Sequence, residues 1–200
     1  MAEPRTTDPV LLIVAAFSRW PDAIRWARDN LQNRYGPIVL ESQPFDFVQT
    51  HYYDDEMGNG LKKQFFAFER LMRPEVLVEI KLETNELEHQ AAQSGEWSTA
   101  RTGLTRPINL DPGYLNAGKW VLATTKDQAH RLYLGRGIYA EVTLRYEHGQ
   151  FVPWPWTYPN YKREDYRAFF KLGRAEYLRL LRAASPTGPH SEGLDFQSQI

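Results

Sequence analysis

The chain has 200 residues, a formal net charge of −1 and no cysteine. That length suits one domain with a substantial core, and the near-neutral balance gives no global electrostatic case for nucleic acid or an anionic membrane. The absence of thiols excludes disulfides, thiolate nucleophiles and sulfur-ligated zinc, which suits a reducing compartment.

Residues 1–8 read as an N-terminal extension without the basic start and apolar core of a signal peptide, so the cytoplasm is the expected location. Val10 to Phe17 is a continuous apolar run, too short to span a bilayer and right for a strand covered on both faces. Pro21 starts a helix whose apolar face is Ile24, Ala27, Leu31 and Tyr35, and Gly36-Pro37 stops it. Ile38 to Leu40 reads as a second strand, and Phe45 to Tyr53 as a third. Leu61, Phe65, Phe68 and Met72 make a helical stripe ending before Pro74. After Pro74 the pattern predicts a helical turn, a strand near Glu79 to Glu83, and a helix from Asn85 capped by Thr84. Gly95 to Arg106 is a polar loop, Ile108 and Leu110 belong to a further strand, and Tyr114 to Thr124 reads as a helix.

An antiparallel meander is expected from His130 to Pro153. Ile138, Ala140, Val142, Leu144 and Tyr146 share one face of its longest strand, and Tyr139, Glu141, Thr143 and Arg145 the other. A three-residue Gly135-Arg136-Gly137 loop sets Leu134 opposite Ile138, Leu132 opposite Ala140, Tyr133 opposite Tyr139 and Arg131 opposite Glu141. His148-Gly149 turns the chain so that Phe151 meets Tyr146. Tyr166, Phe169, Phe170, Gly173, Tyr177 and Leu180 mark a closing amphipathic helix, and residues 184–200 read as a disordered tail. The expected architecture is α+β: a single domain over 9–183 with a mixed or mainly antiparallel sheet, helices packed on one side of it, a C-terminal meander and the closing helix.

Five constellations carry the functional expectation. Asp111-Pro112-Gly113, read as a strand-to-helix junction, offers a carboxylate beside helix N–H groups that hold anions; its plain reading is a helix cap. The Arg131/Glu141 rung with Tyr133 and Tyr139 offers a polar planar face; its plain reading is a solvated ion pair. His130 reads either as a core histidine paired to backbone or, with Asp111, Glu141 and Glu56, as having the residue types of an oxygen/nitrogen metal site without a diagnostic spacing. Tyr52 to Lys63 reads either as a glycine-containing loop presenting Glu56 and Lys62, or as acids complementing a helix start. Trp154 to Tyr161 alternates prolines with aromatics, which makes a stiff segment that either buttresses the sheet or stacks a partner. No phosphate loop, dinucleotide fingerprint or nucleophile elbow is present.

Taken together these residues resemble a prokaryotic family, domain of unknown function 4416. The resemblance rests on Tyr52-Tyr53 with Glu56-Met57-Gly58, Ile80-Lys81-Leu82 with Thr84-Asn85 and Glu88, and Asn109 to Leu115. It extends through Leu122 to Asp127, His130 to Leu144 and Pro155-Trp156-Thr157-Tyr158-Pro159. The resemblance implies that Glu56, Lys81, Asn85, Asp111, Lys119, His130, Arg131 and Glu141 are among the family's polar positions, with no role assigned to any. Some members carry the label GTP-binding protein, of which Thr125-Lys126-Asp127 is at best a poor echo.

The expected function is therefore binding of a small anionic, nucleotide-like or phosphate-bearing ligand. Its candidate contacts are Glu56, Lys81, Asn85, Asn109, Asp111, Gly113, Tyr114, Lys119, Lys126, Arg131, Tyr133 and Tyr139. A divalent metal would fall to Asp111, His130 and Glu141. The alternative is a non-catalytic interaction module that uses the aromatic segment. Neither nucleic acid nor membrane is an expected partner, and the sequence leaves oligomeric state open.

Overall fold

A computed structural model of the chain describes residues 3–47, 53–97 and 103–184. Nine antiparallel strands form one sheet around β1 (Leu11–Ser18), every residue of which is buried. β4 (Lys62–Phe68) and β5 (Asn109–Leu115) flank β1. β2 (Ile38–Glu41) and the short β3 (Phe45–Asp46) both pair with β4 on the outer side. On the other half, β5 is followed by β6 (Lys119–Thr124) and β8 (Ile138–Glu147). β7 (Leu132–Gly135) and β9 (Gln150–Pro153) pair with opposite ends of β8.

The expected α+β class is present, but helices cover both faces rather than one. α1 (Pro21–Tyr35) and α3 (Leu77–Gln93) bury Ile24, Leu31, Ile80 and Leu87 against Leu12, Val14, Phe66 and Phe68. α4 (Glu164–Ala184) covers the opposite face, where Tyr166, Phe169 and Phe170 meet Ile13, Phe65 and Trp120. Phe65 alone has three α4 rings within 5.3 Å. A strand apolar on consecutive positions needs cover on both sides, and β1 and β4 both have that character.

The same physics corrects the Leu61–Met72 helix. Phe65 and Ala67 face α4 while Phe66 and Phe68 face α1, so the segment is a strand whose apolar residues carry no helical period. The strand expected at Glu79 to Glu83 is instead the middle of α3, entered through a 3-10 turn at Pro74–Val76. Leu77, Ile80, Thr84, Leu87 and Ala91 are its buried stripe, and Thr84 bonds the Lys81 carbonyl from inside the helix rather than capping one. The third strand is limited to Phe45–Asp46. Residues 48–52 lie outside the described set, and Asp54–Met57 forms the short helix α2, so Lys62 and Lys63 belong to β4 and not to a helix start. Ala184 ends α4, and the tail after it lies outside the described residues.

The meander keeps its expected pairings Leu132–Ala140, Tyr133–Tyr139 and Tyr146–Phe151. Two details differ. Gly135, not Leu134, meets Ile138 across an irregular step, so the turn is Arg136-Gly137. A bulge at Thr143 pairs Val121 with Val142 but Trp120 with Leu144. The extra residue turns Leu144 and Tyr146 onto the α4 face, while Ile138, Ala140 and Val142 stay on the α3 face.

Candidate functional site

Asp111-Pro112-Gly113 is the origin of the site, although it starts no helix. All three residues lie inside β5, and Tyr114 to Thr124 is the end of β5, a turn and β6. The helix-terminus anion site expected there is therefore replaced by a strand feature. β5 pairs with β1 along its whole length, but with β6 only at Gly113, Tyr114 and Leu115. Pro112 has no N–H to offer a ladder, and beyond it the two strands are unpaired. Gly113 lets the strands meet at the last pair: a Cβ there would lie 2.3 Å from the Val121 carbonyl oxygen and 2.5 Å from the Trp120 ring.

Backbone groups released by this split find partners on α3. The Leu110 N–H donates to Glu88 Oε1 at 2.7 Å, and its carbonyl accepts from Lys81 Nζ at 2.8 Å. A lysine and a glutamate seven residues apart on one helix face thus take the place of a neighbouring strand. Glu88 also accepts from Arg106 at 2.7 Å, and Arg106 bonds Asn109 Oδ1.

The opening between β5 and β6 is a cavity of about 750 Å³, within the range of small-molecule sites. Asn109 and Asp111 line one side and Leu122 to Lys126 the other. α3 contributes Lys81, Asn85, Glu88 and His89, α2 contributes Glu56, and Tyr158 to Tyr161 close the far wall. α2 is tied in place because the Glu56 carbonyl accepts the N–H groups of Thr105 and Arg106, both at 3.1 Å.

At the inner end Lys63 is fully buried. Its Nζ lies 3.6 Å from Asp111 Oδ2 and 3.4 Å from the Tyr161 hydroxyl. The rings of Phe17, Phe47, Phe65 and Tyr161 surround that ammonium at 4.8–5.8 Å. Burial pulls Lys63 below the usual lysine range, although Asp111 opposes the shift. Burial alone would raise the pKa of Asp111, but the charges of Lys63 and Lys81, the Asn109 amide and Arg106 outweigh it and hold the carboxyl below its ordinary value. Burial also raises Tyr161 well above an ordinary phenol, so it remains protonated.

The Asp111 shift sets a pH dependence. Between its lowered folded pKa and the ordinary value of about 3.9, the unfolded chain binds more protons, so stability rises with pH. That contribution is complete above the ordinary value and is lost as pH falls through the folded one. Asp111→Asn is expected to flatten the acid limb of a plot of urea midpoint against pH below about pH 4. An unchanged slope would remove Asp111 from the acid dependence.

Of the residues expected from sequence, Glu56, Lys81, Asn85, Asn109, Asp111 and Lys126 line this cavity. Arg131 and Glu141 form the wall behind it. Arg131 donates to Glu141 Oε2 at 3.0 Å, to the Lys126 carbonyl at 3.0 Å and to the Tyr158 hydroxyl at 2.8 Å. The pair is buried, not the solvated rung of the plain reading. His130 Nε2 lies 3.2 Å from Glu141 Oε2, while Asp111 pairs with Lys63. The three expected metal ligands therefore do not converge, and no group of three acidic or histidine side chains among the described residues is placed to hold a metal ion.

Gly113, Tyr114, Lys119, Tyr133 and Tyr139 are not in the cavity lining. Gly113 is the seam residue, and Tyr114 packs against the Val121 cluster. Lys119 stands opposite Arg145 at the far end of β6, and Tyr133 and Tyr139 pack against each other with tilted rings at 5.2 Å on the β7 edge. The Trp154 to Tyr161 segment is held internally: Arg145, Trp154, Trp156 and His130 form a column with spacings of 4.2, 5.1 and 5.6 Å. Thr157 fastens it to the Thr143 carbonyl at 2.6 Å.

Sequence reasoning missed Lys63, Glu88, Arg106 and Tyr161 as site residues. Lys63 had a usable signal, since in a strand it shares a face with Phe65 and Ala67, where a solvated lysine does not belong. A model of the family described as a domain of unknown function, number 4416, matches residues 8–177. No curated protein and no solved structure matches.

Proposed function

The chain belongs to the domain of unknown function 4416 family, and for this member we propose binding of a small anionic, phosphate-bearing or nucleotide-like ligand in the cavity between β5 and β6. The observation that supports this most is the lining: Lys63, Lys81, Arg106 and Lys126 against Glu56, Glu88 and Asp111, with Phe17, Phe47, Tyr53, Tyr158 and Tyr161 as aromatic surface. Four cations suit an anionic group, the acids suit hydroxyl or amino donors, and the rings suit a planar or apolar moiety. The reading needs no metal, because the donor set first considered is not assembled. It also needs no helix terminus, since the charge comes from side chains of β4, α3 and the adjoining loops gathered around the split in the sheet.

The test is a thermal-shift series with inorganic phosphate, nucleoside mono- and triphosphates and small carboxylates. A ligand present at a hundred times its Kd adds about 2.7 kcal/mol, which for a chain of this size raises Tm by about 5–10 °C. Asn85→Asp, which puts a further carboxylate in the cavity, is expected to weaken that ligand at least about tenfold, or ~1.4 kcal/mol. Absence of any shift across the series would overturn the anion reading. It would favour the interaction module, for which the support is surface exposure: Trp156 is 42% exposed, and β7 presents Leu132 and Tyr133 at 72% and 62%.

A further inference from the structure

We propose that Lys63 is a carbonyl-reactive amine, and that the ligand of the cavity is an anionic aldehyde or ketone condensing with it as an imine. This rests on the anion-binding reading and narrows it to a substrate class. The geometry carries the argument. Lys63 is the innermost cation of the cavity, on a central strand, where a lysine is costly to place and a methionine or leucine would pack without penalty. Its only charge partner within ion-pair distance among the described residues is Asp111, at 3.6 Å, longer than a strong charge-assisted bond. Four rings and the Tyr161 hydroxyl lie around it, and among the described residues nothing forms the dense carboxylate shell that would fix it as a permanent ammonium.

An amine desolvated in this way is the activated form of a lysine nucleophile. The groups facing Lys63 are Asp111 from β5, Tyr161 from the wall segment, Phe17 from β1 and Phe47 beyond β3. In the proposed step the ammonium passes one proton to the Asp111 carboxylate, and the free Nζ electron pair forms the C–N bond to the carbonyl carbon. The former carbonyl oxygen takes up protons, one from nitrogen and one returned by Asp111, and leaves as water. Ammonium plus carbonyl thus gives a protonated imine plus water, with no oxidant or reductant consumed. Lys81, Arg106 and Lys126 stand in the same cavity to hold the anionic end of the substrate.

The test uses the full chain at pH 7 with glyoxylate, and in parallel a neutral aldehyde of similar size, each with sodium cyanoborohydride, followed by peptide mapping. An exposed lysine with a pKa of about 10.4 has less than about 0.1% free amine at that pH. Lys63 is therefore expected to carry most of the reduced adduct, because burial lowers its pKa and raises its free-amine fraction above that of the solvated lysines. Thermal stabilisation by glyoxylate or phosphate without reductant is read on parallel samples of the same protein, so no variant has to fold. Stabilisation with the adduct spread over surface lysines would overturn the imine and leave anion binding standing. Selective labelling of Lys63 by both aldehydes, without stabilisation by glyoxylate or phosphate, would support the amine chemistry and overturn the anionic substrate. Neither stabilisation nor selective labelling would overturn both.

Discussion

Arg131→Ala is expected to cost about 3–5 kcal/mol of folding stability, because it leaves the Glu141 carboxylate uncompensated in the interior. The Glu141 side chain is fully buried, and among the described residues Arg131 is its only cationic partner apart from the imidazole of His130. Thr143 adds one hydroxyl donor at 3.2 Å, which does not replace a guanidinium. Urea unfolding measures the loss directly. The control is Arg131→Met combined with Glu141→Leu, which removes both charges and is expected to recover much of it, since the penalty comes from the stranded charge rather than the missing attraction. A single-variant loss below about 1 kcal/mol would show that water reaches Glu141 and that the wall is looser than its geometry indicates. The same guanidinium holds the Lys126 carbonyl and Tyr158, so the cavity loses its shape with the pair.

Gly113→Ala is the second large effect. The added methyl carbon would sit 2.3 Å from a backbone oxygen and 2.5 Å from the ring of Trp120, which is itself fully buried. Neither neighbour has room to yield: the oxygen belongs to β6, and the indole is wedged against Phe170 at 4.9 Å. Overpacking of this kind costs about 1–3 kcal/mol where side chains can move, and the backbone contact places this case at the upper end or above. The expected result is a fall in Tm of about 6–12 °C by calorimetry. Gly118→Ala is the comparison, because its nearest neighbour would be 3.9 Å away. Equal losses at the two glycines would refute the seam.

Much of the fold was legible where one face of an element is dry and the other wet. α1 and α4 show the 3.6-residue stripe, and the β8–β9 hairpin follows from His148-Gly149, both of which have positive φ. The reading failed where both faces are dry. In β4 the run Phe65 to Phe68 satisfies a helical spacing by accident, because every position is apolar. At Asp111-Pro112-Gly113 the turn-forming residue types point to a helix start, whereas the fold uses proline to stop a ladder and glycine to let two strands approach. A helix start there would also bring Tyr114 to the site, whereas Lys119 enters through the family resemblance. Asp111, Asn109, Glu56 and Lys126 stand out in the sequence as polar positions, whereas Lys81 and Asn85 enter only through the family resemblance. Their meeting place is not legible, because it depends on a strand separation that no local pattern encodes.

The seam also has a mechanical meaning. On one side lies a leaf made of β3, β2, β4, β1 and β5, on the other a leaf made of β6, β8, β7 and β9, and three residue pairs stitch them along one short spine. Those three pairs, together with α3 and α4 packed across both leaves, set the width of the gap. The width of the opening thus depends on the bulk at the spine, where glycine meets tryptophan, and not only on the residues that line it.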